Sequence, residues 1–174
     1  MSLIVDGTTI KNVIYNGVTL DNVICDGVEV FKLIKNIDLR GKSFVTSTSG
    51  YASIRHAYSN STAVSLGVNS TAASVEGTGF YTTADFYDLT DFKTFRMIGE
   101  GLVRSKKYAT VQLVSESGTS KQIYAKQDNG YGFTFNESIN ISAYTGKYKI
   151  RIGVGALEGF KTPYITFTTM SLLQ

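Results

Sequence analysis

Residues 139–154 read INISAYTGKYKIRIGV, and residues 86–101 read FYDLTDFKTFRMIGEG. Each has a short polar approach (Asn140-Ile141-Ser142, Asp88-Leu89-Thr90), an aromatic residue two positions on (Tyr144, Phe92) and then a long alternating run. An Asp or Asn followed by a hydroxyl residue suits a turn whose side-chain oxygens satisfy backbone N–H groups just before a strand begins. In the run after Gly146, Tyr148, Ile150, Ile152 and Val154 share one face, and Lys147, Lys149, Arg151 and Gly153 share the other. That strand buries one face and keeps the other wet or lined.

The same pattern extends over residues 36–174. Aromatic and β-branched runs are separated by Gly/Ser/Asn clusters, with turn signals such as Glu116-Ser117-Gly118 and Asp128-Asn129-Gly130. Ten strands are expected: Lys42–Thr46, Ala52–His56, Ala63–Leu66, Gly79–Thr83, Lys93–Gly99, Tyr108–Ser115, Lys121–Lys126, Gly130–Phe135, Lys147–Val154 and Tyr164–Leu172. With a single proline, 17 glycines and a 43% hydrophobic fraction, the 174-residue chain has the composition of an all-β globular protein. The pattern suits an antiparallel jelly-roll β-sandwich.

Residues 1–35 follow another rule. In tens, the chain reads LIVDGTTIKN, VIYNGVTLDN and VICDGVEVFK, with Ile4, Ile14 and Ile24 in one column, Asp6, Asn16 and Asp26 in another, and Gly7, Gly17 and Gly27 beside them. Asn-Gly and Asp-Gly favour type I′ hairpin turns, which need positive φ at both central residues. Three small hairpins are therefore expected, with Tyr15 opposite Val18 and Val13 opposite Leu20. Two-stranded hairpins are marginal in water, so this segment must borrow burial, either from the larger domain or from other copies of the chain.

VIYNGVTLDNVICDGVEVF (residues 13–31) resembles the short Asn-Gly repeats of phage and prophage minor structural (tail) proteins. The paired DLT and NIS segments resemble those of jelly-roll carbohydrate-binding-like domains on secreted glycosidases and of distal domains of phage tail proteins. The first resemblance implies that residues 1–35 serve assembly or attachment. The second implies that residues 36–174 are a carbohydrate-binding-like sandwich.

Net charge is +3, and the basic residues are dispersed apart from Arg104–Tyr108 (RSKKY), read as a solvated hairpin loop, so no nucleic-acid partner is expected. A lone cysteine, Cys25, leaves no internal disulfide framework; it occupies the column of Val5 and Tyr15 and reads as a packing residue. No stretch has the length of a membrane span, and the opening residues lack the pattern of an export signal. The chain is therefore expected to be made in a bacterial cytoplasm without its own export signal, unless such a signal has been removed, and without membrane insertion; residence in a virion is what the resemblance to tail proteins implies. Without an export signal the Asn-Ser-Thr triplets at Asn60 and Asn69 read as polar loop residues.

Catalytic signals are weak. Asp85, Asp88 and Asp91 recur every three residues but lack the dense pattern of a calcium loop, and Asp88 reads as a turn residue. Glu76, Asp85 and Glu100 could supply a carboxylate pair only if the fold set two of them across a cleft. The only histidine, His56, lacks histidine partners for a metal site. No cofactor is expected.

Binding signals are stronger. YASIRHAYSN places Tyr51, Arg55, His56 and Tyr58 together, aromatic faces for sugar rings beside donors for hydroxyls; alternatively, the two tyrosines cap a sandwich edge. Tyr131 follows a turn at Asp128–Gly130, and Phe160 and Tyr164 lie in the glycine-rich loop ALEGFKTPY (residues 156–164). The sequence points to a non-enzymatic, oligomeric phage or prophage structural protein whose jelly-roll contacts host-surface polysaccharide and whose repeat contacts other phage structural proteins. A carbohydrate-binding module of a bacterial glycoside hydrolase or cell-surface protein is the alternative; the absence of tryptophan counts against it, although eleven tyrosines could substitute.

Overall fold

The computed structural model describes the chain except for residues 1–2, 6–7, 11–12, 16–17, 21, 26–27, 33–35, 72–75, 104–106, 129 and 158–161, and gives backbone pairing alone for the rest of the first 35 residues. It divides into two compact units, Met1–Asn36 and Ile37–Gln174. The first holds three separate antiparallel pairs: β1 (Leu3–Val5) with β2 (Thr8–Ile10), β3 (Val13–Tyr15) with β4 (Val18–Leu20), and β5 (Asn22–Cys25) with β6 (Val28–Lys32). Val13 stands opposite Leu20 and Tyr15 opposite Val18, the register expected of a two-residue turn. The Asp/Asn-Gly turn residues and the Cys25 side chain lie outside the described residues.

The second unit is a two-sheet antiparallel β-sandwich with no helix among the described residues. Its short first strand is β7 (Ile37–Asp38), followed by β8 (Phe44–Gly50), β9 (Ala52–Ser59), β10 (Val64–Ser70) and β11 (Glu76–Thr83). After the short β12 (Tyr87–Asp88) come β13 (Thr94–Leu102), β14 (Tyr108–Ser115), β15 (Ser120–Gln127), β16 (Phe133–Asn140), β17 (Lys147–Leu157) and β18 (Tyr164–Leu173). The first sheet has the order β16-β13-β18-β10-β9, with β7 on β18; the second has β15-β14-β17-β11-β8, with β12 on β17. All ten expected strands form, most of them longer than expected. The one expected over Gly130–Phe135 begins only at Phe133 because Gly130 and Gly132 have φ of 86° and 92°, the left-handed region that ends extended structure.

Inward-facing rows fill one core. Leu66, Phe95, Met97 and Phe167 of the first sheet and Val111, Leu113, Ile150 and Ile152 of the second are fully buried. Glycine shapes this packing at Gly99, where the rings of Phe135 and Phe167, from the strands on either side, meet edge to face at 5.2 Å. A Cβ at Gly99 would lie 2.7 Å from the Phe135 ring and collide with the Thr166 carbonyl.

Five connections cross between the sheets at one end: β8 to β9, β10 to β11, β13 to β14, β15 to β16 and β17 to β18. The opposite end is closed by a repeated turn. Asp38 Oδ1 accepts from Arg40 N–H, Asp88 Oδ1 from Thr90 N–H and O–H, and Asn140 Oδ1 from Ser142 N–H and O–H. The residue inside each turn, Leu39, Leu89 or Ile141, is fully buried. Its carbonyl accepts from the N–H three residues on, at Lys42, Phe92 and Tyr144. The DLT and NIS turns thus form as expected, and the Asp38-Leu39-Arg40 turn is a third copy.

Leu89→Ala should destabilise the protein by about 2–5 kcal/mol in chemical denaturation, the cost of emptying a packed aliphatic site, whereas Val45→Ala, at a position 59% exposed, should change little. The Asp38 carboxyl is held below its ordinary value near 3.8 by its hydrogen bond from Arg40, and that of Asp88 by hydrogen bonds from Thr90. Folded values below the unfolded one mean that this stabilisation is present above about pH 3.8 and is lost as pH falls through the folded values. Asp38→Asn with Asp88→Asn should therefore flatten the acid limb of a stability-versus-pH curve while leaving the turns acceptor oxygens.

Candidate functional site

Register determines what the outer face of the first sheet presents. Tyr58 (β9), Ser65 (β10), Thr166 (β18), Glu100 (β13) and Thr134 (β16) form one row across five strands, a span of roughly 19 Å. Neighbouring rows on either side, such as Ala57–Leu66–Ile165 and Ser59–Val64–Phe167, point into the core. Two positions from the Tyr58 row, toward the end where the sheets cross over, His56, Gly67, Tyr164 and Leu102 form the next outward row.

A register shift in the β9–β10 pairing governs the chemistry of this corner. His56 stands opposite Gly67 and Ile54 opposite Val68, so Arg55 is an extra residue with no partner across the ladder. Such a bulge resets the alternation. Ile54 packs inward, reaching the space above Gly79 in the opposite sheet, while His56 faces out. Arg55 and His56 are therefore on the same face, which unbroken alternation forbids for consecutive residues. Gly67 makes room for both: a Cβ there would lie 2.6 Å from His56 Nδ1 and 2.9 Å from an Arg55 terminal nitrogen.

His56 Nε2 lies 3.1 Å from Ser65 Oγ, which is 2.8 Å from Thr166 Oγ1 and donates to the Ile165 carbonyl at 3.3 Å. The imidazole stacks against Tyr58 with ring centres 5.9 Å apart. Burial, reinforced by the Arg55 charge, lowers the His56 pKa below 6.5 and favours the neutral ring at neutral pH. Histidine beside serine resembles a nucleophile and its base. Ser65, however, is only 1% exposed and already committed to Thr166 and a backbone carbonyl, so the pair acts as a fixed hydrogen-bonded strut.

Across the sheet, an open groove of about 480 Å³ is lined chiefly by Ile98, Glu100, Thr134, Asn136, Thr166 and Thr168. Arg96 fixes one wall by donating to Asn136 Oδ1 and, at 2.9 Å, to the Glu137 carbonyl. Tyr164 sits between groove and corner; burial, with a smaller effect from Glu100, raises its pKa. The outer face of the second sheet is less available to a ligand's ring faces, because Arg151 covers Phe80 and Lys149 covers Phe86 at 5.3 and 4.8 Å.

The structure joins some sequence candidates and separates others. Arg55, His56, Tyr58 and Tyr164 share the outer face of the first sheet. Tyr51, 53% exposed, lies in the β8–β9 crossover with its backbone bonded to Glu76 and Thr71, roughly 16 Å along the strand from His56. Tyr131 is 92% exposed in the β15–β16 connection at the same end; Phe160 lies outside the described residues. The residues Arg104–Lys106 of the basic cluster also lie outside them.

The carboxylates do not pair. Glu76 is at the crossover end of β11 with Lys107, Asp85 follows the other end of that strand, and Glu100 is on the opposite sheet. Among the described residues, no group of three His, Cys, Asp or Glu side chains could hold a metal ion. Sequence reading missed Ser65, Gly67, Thr134, Asn136 and Thr166. The alternation of Tyr164, Thr166 and Thr168 in YITFTTM was the available signal.

No family model matches the chain, and no curated protein matches it. Solved structures do. The Family 11 carbohydrate-binding module from Clostridium thermocellum, in complex with a β-1,3-1,4-mixed-linked tetrasaccharide, aligns at 11% identity and a TM-score of 0.47, over 80% of this chain and 94% of that one. A CBM4 module aligns at 11% and 0.44, over 80% and 95%. The enzymatically active domain of tailspike protein 4 of bacteriophage CBA120 aligns at 10% and 0.41, over 88% of this chain and 22% of that one. The tetrasaccharide is a ligand of that module, and the enzymatic activity is a property of that tailspike.

The two glycines of the first sheet should separate site from scaffold. Gly67→Ala meets side-chain atoms of His56 and Arg55 and no backbone, so it should displace both side chains, visible as a shifted His56 imidazole NMR signal, and break the His56–Ser65 hydrogen bond at a smaller cost in thermal stability than Gly99→Ala. Gly99→Ala meets backbone and should lower the unfolding midpoint clearly.

Proposed function

We propose that this chain is a non-enzymatic glycan-binding structural protein of a phage or prophage tail. The outer face of its first sheet takes host-surface polysaccharide, and its hairpin repeat joins it to copies of itself or to other tail proteins. The observation that carries the binding reading is the row Tyr58–Ser65–Thr166–Glu100–Thr134, flanked by Tyr164 and the groove. It combines the Tyr58 and Tyr164 rings with the Thr166 and Thr134 hydroxyls and the Glu100 carboxylate, along a path wide enough for several sugar rings, while buried Ser65 supports the row from beneath. Pre-formed β-strands hold these groups, so little ordering would be needed on binding.

The assembly reading is supported by the hairpins, each a two-stranded sheet whose strands leave an outer ladder edge unused within the pair. Weak binding at each face would then be offset by copy number. The alternative, a carbohydrate-binding module of a glycoside hydrolase or cell-surface protein, uses the same face but requires no assembly.

Tyr58→Ala with Tyr164→Ala should weaken binding to a retained polysaccharide in affinity electrophoresis by about tenfold or more, the loss of two ring contacts, while Phe80→Ala on the other sheet should not. Equal retention of all three proteins would exclude this face. Light scattering on the full chain and on a truncation beginning at Asn36 tests assembly: an oligomer that becomes a monomer supports the tail reading, and two monomers support the alternative.

A further inference from the structure

Resting on that glycan-binding reading, the bulge corner narrows the class of sugar. Arg55 is exposed and has no ion-pair partner among the described residues, as is true of several other cations of the sandwich; what sets it apart is that its guanidinium shares one corner with an imidazole. Glu100, the acidic residue in the Tyr58 row, is three strands from β9, roughly 14 Å. The bulge turns Arg55 onto the face that His56 already occupies, above a glycine that leaves space for both. His56 is fixed in turn through Ser65 and Thr166.

We propose that Arg55 and His56 form a subsite for the carboxylate of an acidic sugar, so that the face takes a uronic-acid polysaccharide in preference to its neutral counterpart. The guanidinium donates to the carboxylate and the imidazolium adds a second charge-assisted contact, while Tyr58 and Tyr164 on either side offer ring faces to the sugar. The charged and titratable groups facing His56 from its surroundings are Arg55 and Tyr58 on β9, Tyr164 on β18 and, beyond Tyr164, Glu100 on β13; β10 contributes the neutral Ser65 and Gly67. In the free protein burial and, secondarily, repulsion from Arg55 disfavour the imidazolium. A bound carboxylate relieves that repulsion, so binding and protonation promote each other, and affinity rises as pH falls through the His56 titration.

His56 is the only histidine, so its imidazole NMR signals report this corner without overlap. The test titrates an oligogalacturonate, and the same oligosaccharide with its carboxylates reduced to alcohols, into the full chain at constant ionic strength across about pH 5 to 8. The acidic oligosaccharide should bind about tenfold tighter than the reduced one, the worth of a charge-assisted hydrogen bond. It should also move the His56 titration to higher pH, and Arg55→Gln should abolish both effects. Gly67→Ala, which disturbs the corner without removing a charge, should weaken the preference. Equal affinity for the two oligosaccharides, or a preference that survives Arg55→Gln, would overturn the carboxylate subsite and leave the glycan face standing. If neither oligosaccharide binds or perturbs His56, the carboxylate subsite falls, and the retention experiment with Tyr58→Ala and Tyr164→Ala decides the glycan face separately.

Discussion

Strict alternation of inward and outward rows is the constraint on which the sandwich depends. A sheet that buries one face must place every second row in the core, and a single-residue slip would exchange the two sets. Around the Tyr58 row the first sheet obeys this, with Leu66, Ile165 and Phe167 going in and Tyr58, Thr166 and Glu100 going out, and the register shifts at Arg55 and at Thr168 fall outside that row. Binding surface and core are thus specified together. Thr166 is held on the outer face by the same strand geometry that buries Ile165 and Phe167 beside it.

Where alternation breaks, a local feature accounts for it. Gly99 stands in an inward row because the rings on either side need its missing side chain. Gly67 stands in an outward row because two side chains lie across it. The bulge at Arg55 lets β9 satisfy its core contacts through Ile54 and Ala57 while sending both Arg55 and His56 outward. The two ends differ for a related reason. One end is fastened by three Asx-type turns, each burying an aliphatic side chain within a connection between the sheets, while the other carries the remaining five sheet-to-sheet crossovers and so gathers Tyr51, Tyr131 and the approach to Tyr164.

The fold was more legible than the site. Strand existence follows from period-two patterning, which in KYKIRIGVG separates Ile150, Ile152 and Val154 from their charged neighbours and matches the observed burial. The turns at Asp88 and Asn140 were legible because hydrogen bonds to residue i+2 are local; the turn at Asp38 was missed because arginine, not a hydroxyl residue, occupies its third position. The site is assembled across strands distant in sequence: Ser65 meets Thr166 only through the β10–β18 register, which no single stretch encodes. The bulge was invisible for the same reason, being a mismatch between two strands. Local clustering nevertheless placed Arg55, His56 and Tyr58 together, because they share one strand.

The distribution of charge follows from this arrangement. Arg151 and Lys149 on the second sheet lie over Phe80 and Phe86, so aromatic and cation satisfy each other and neither calls for a ligand. On the first sheet the aromatic partner of His56 is Tyr58, but the ring stacks on a neutral imidazole and Arg55 is left without a carboxylate among the described residues. Burial and, secondarily, the Arg55 cation that the bulge sets beside it raise the free energy of the imidazolium. An anion placed between the two cations would offset the Arg55 part. An external carboxylate at this corner would therefore act on both groups at once, and the same face continues from it through Thr166 and Glu100 to Thr134.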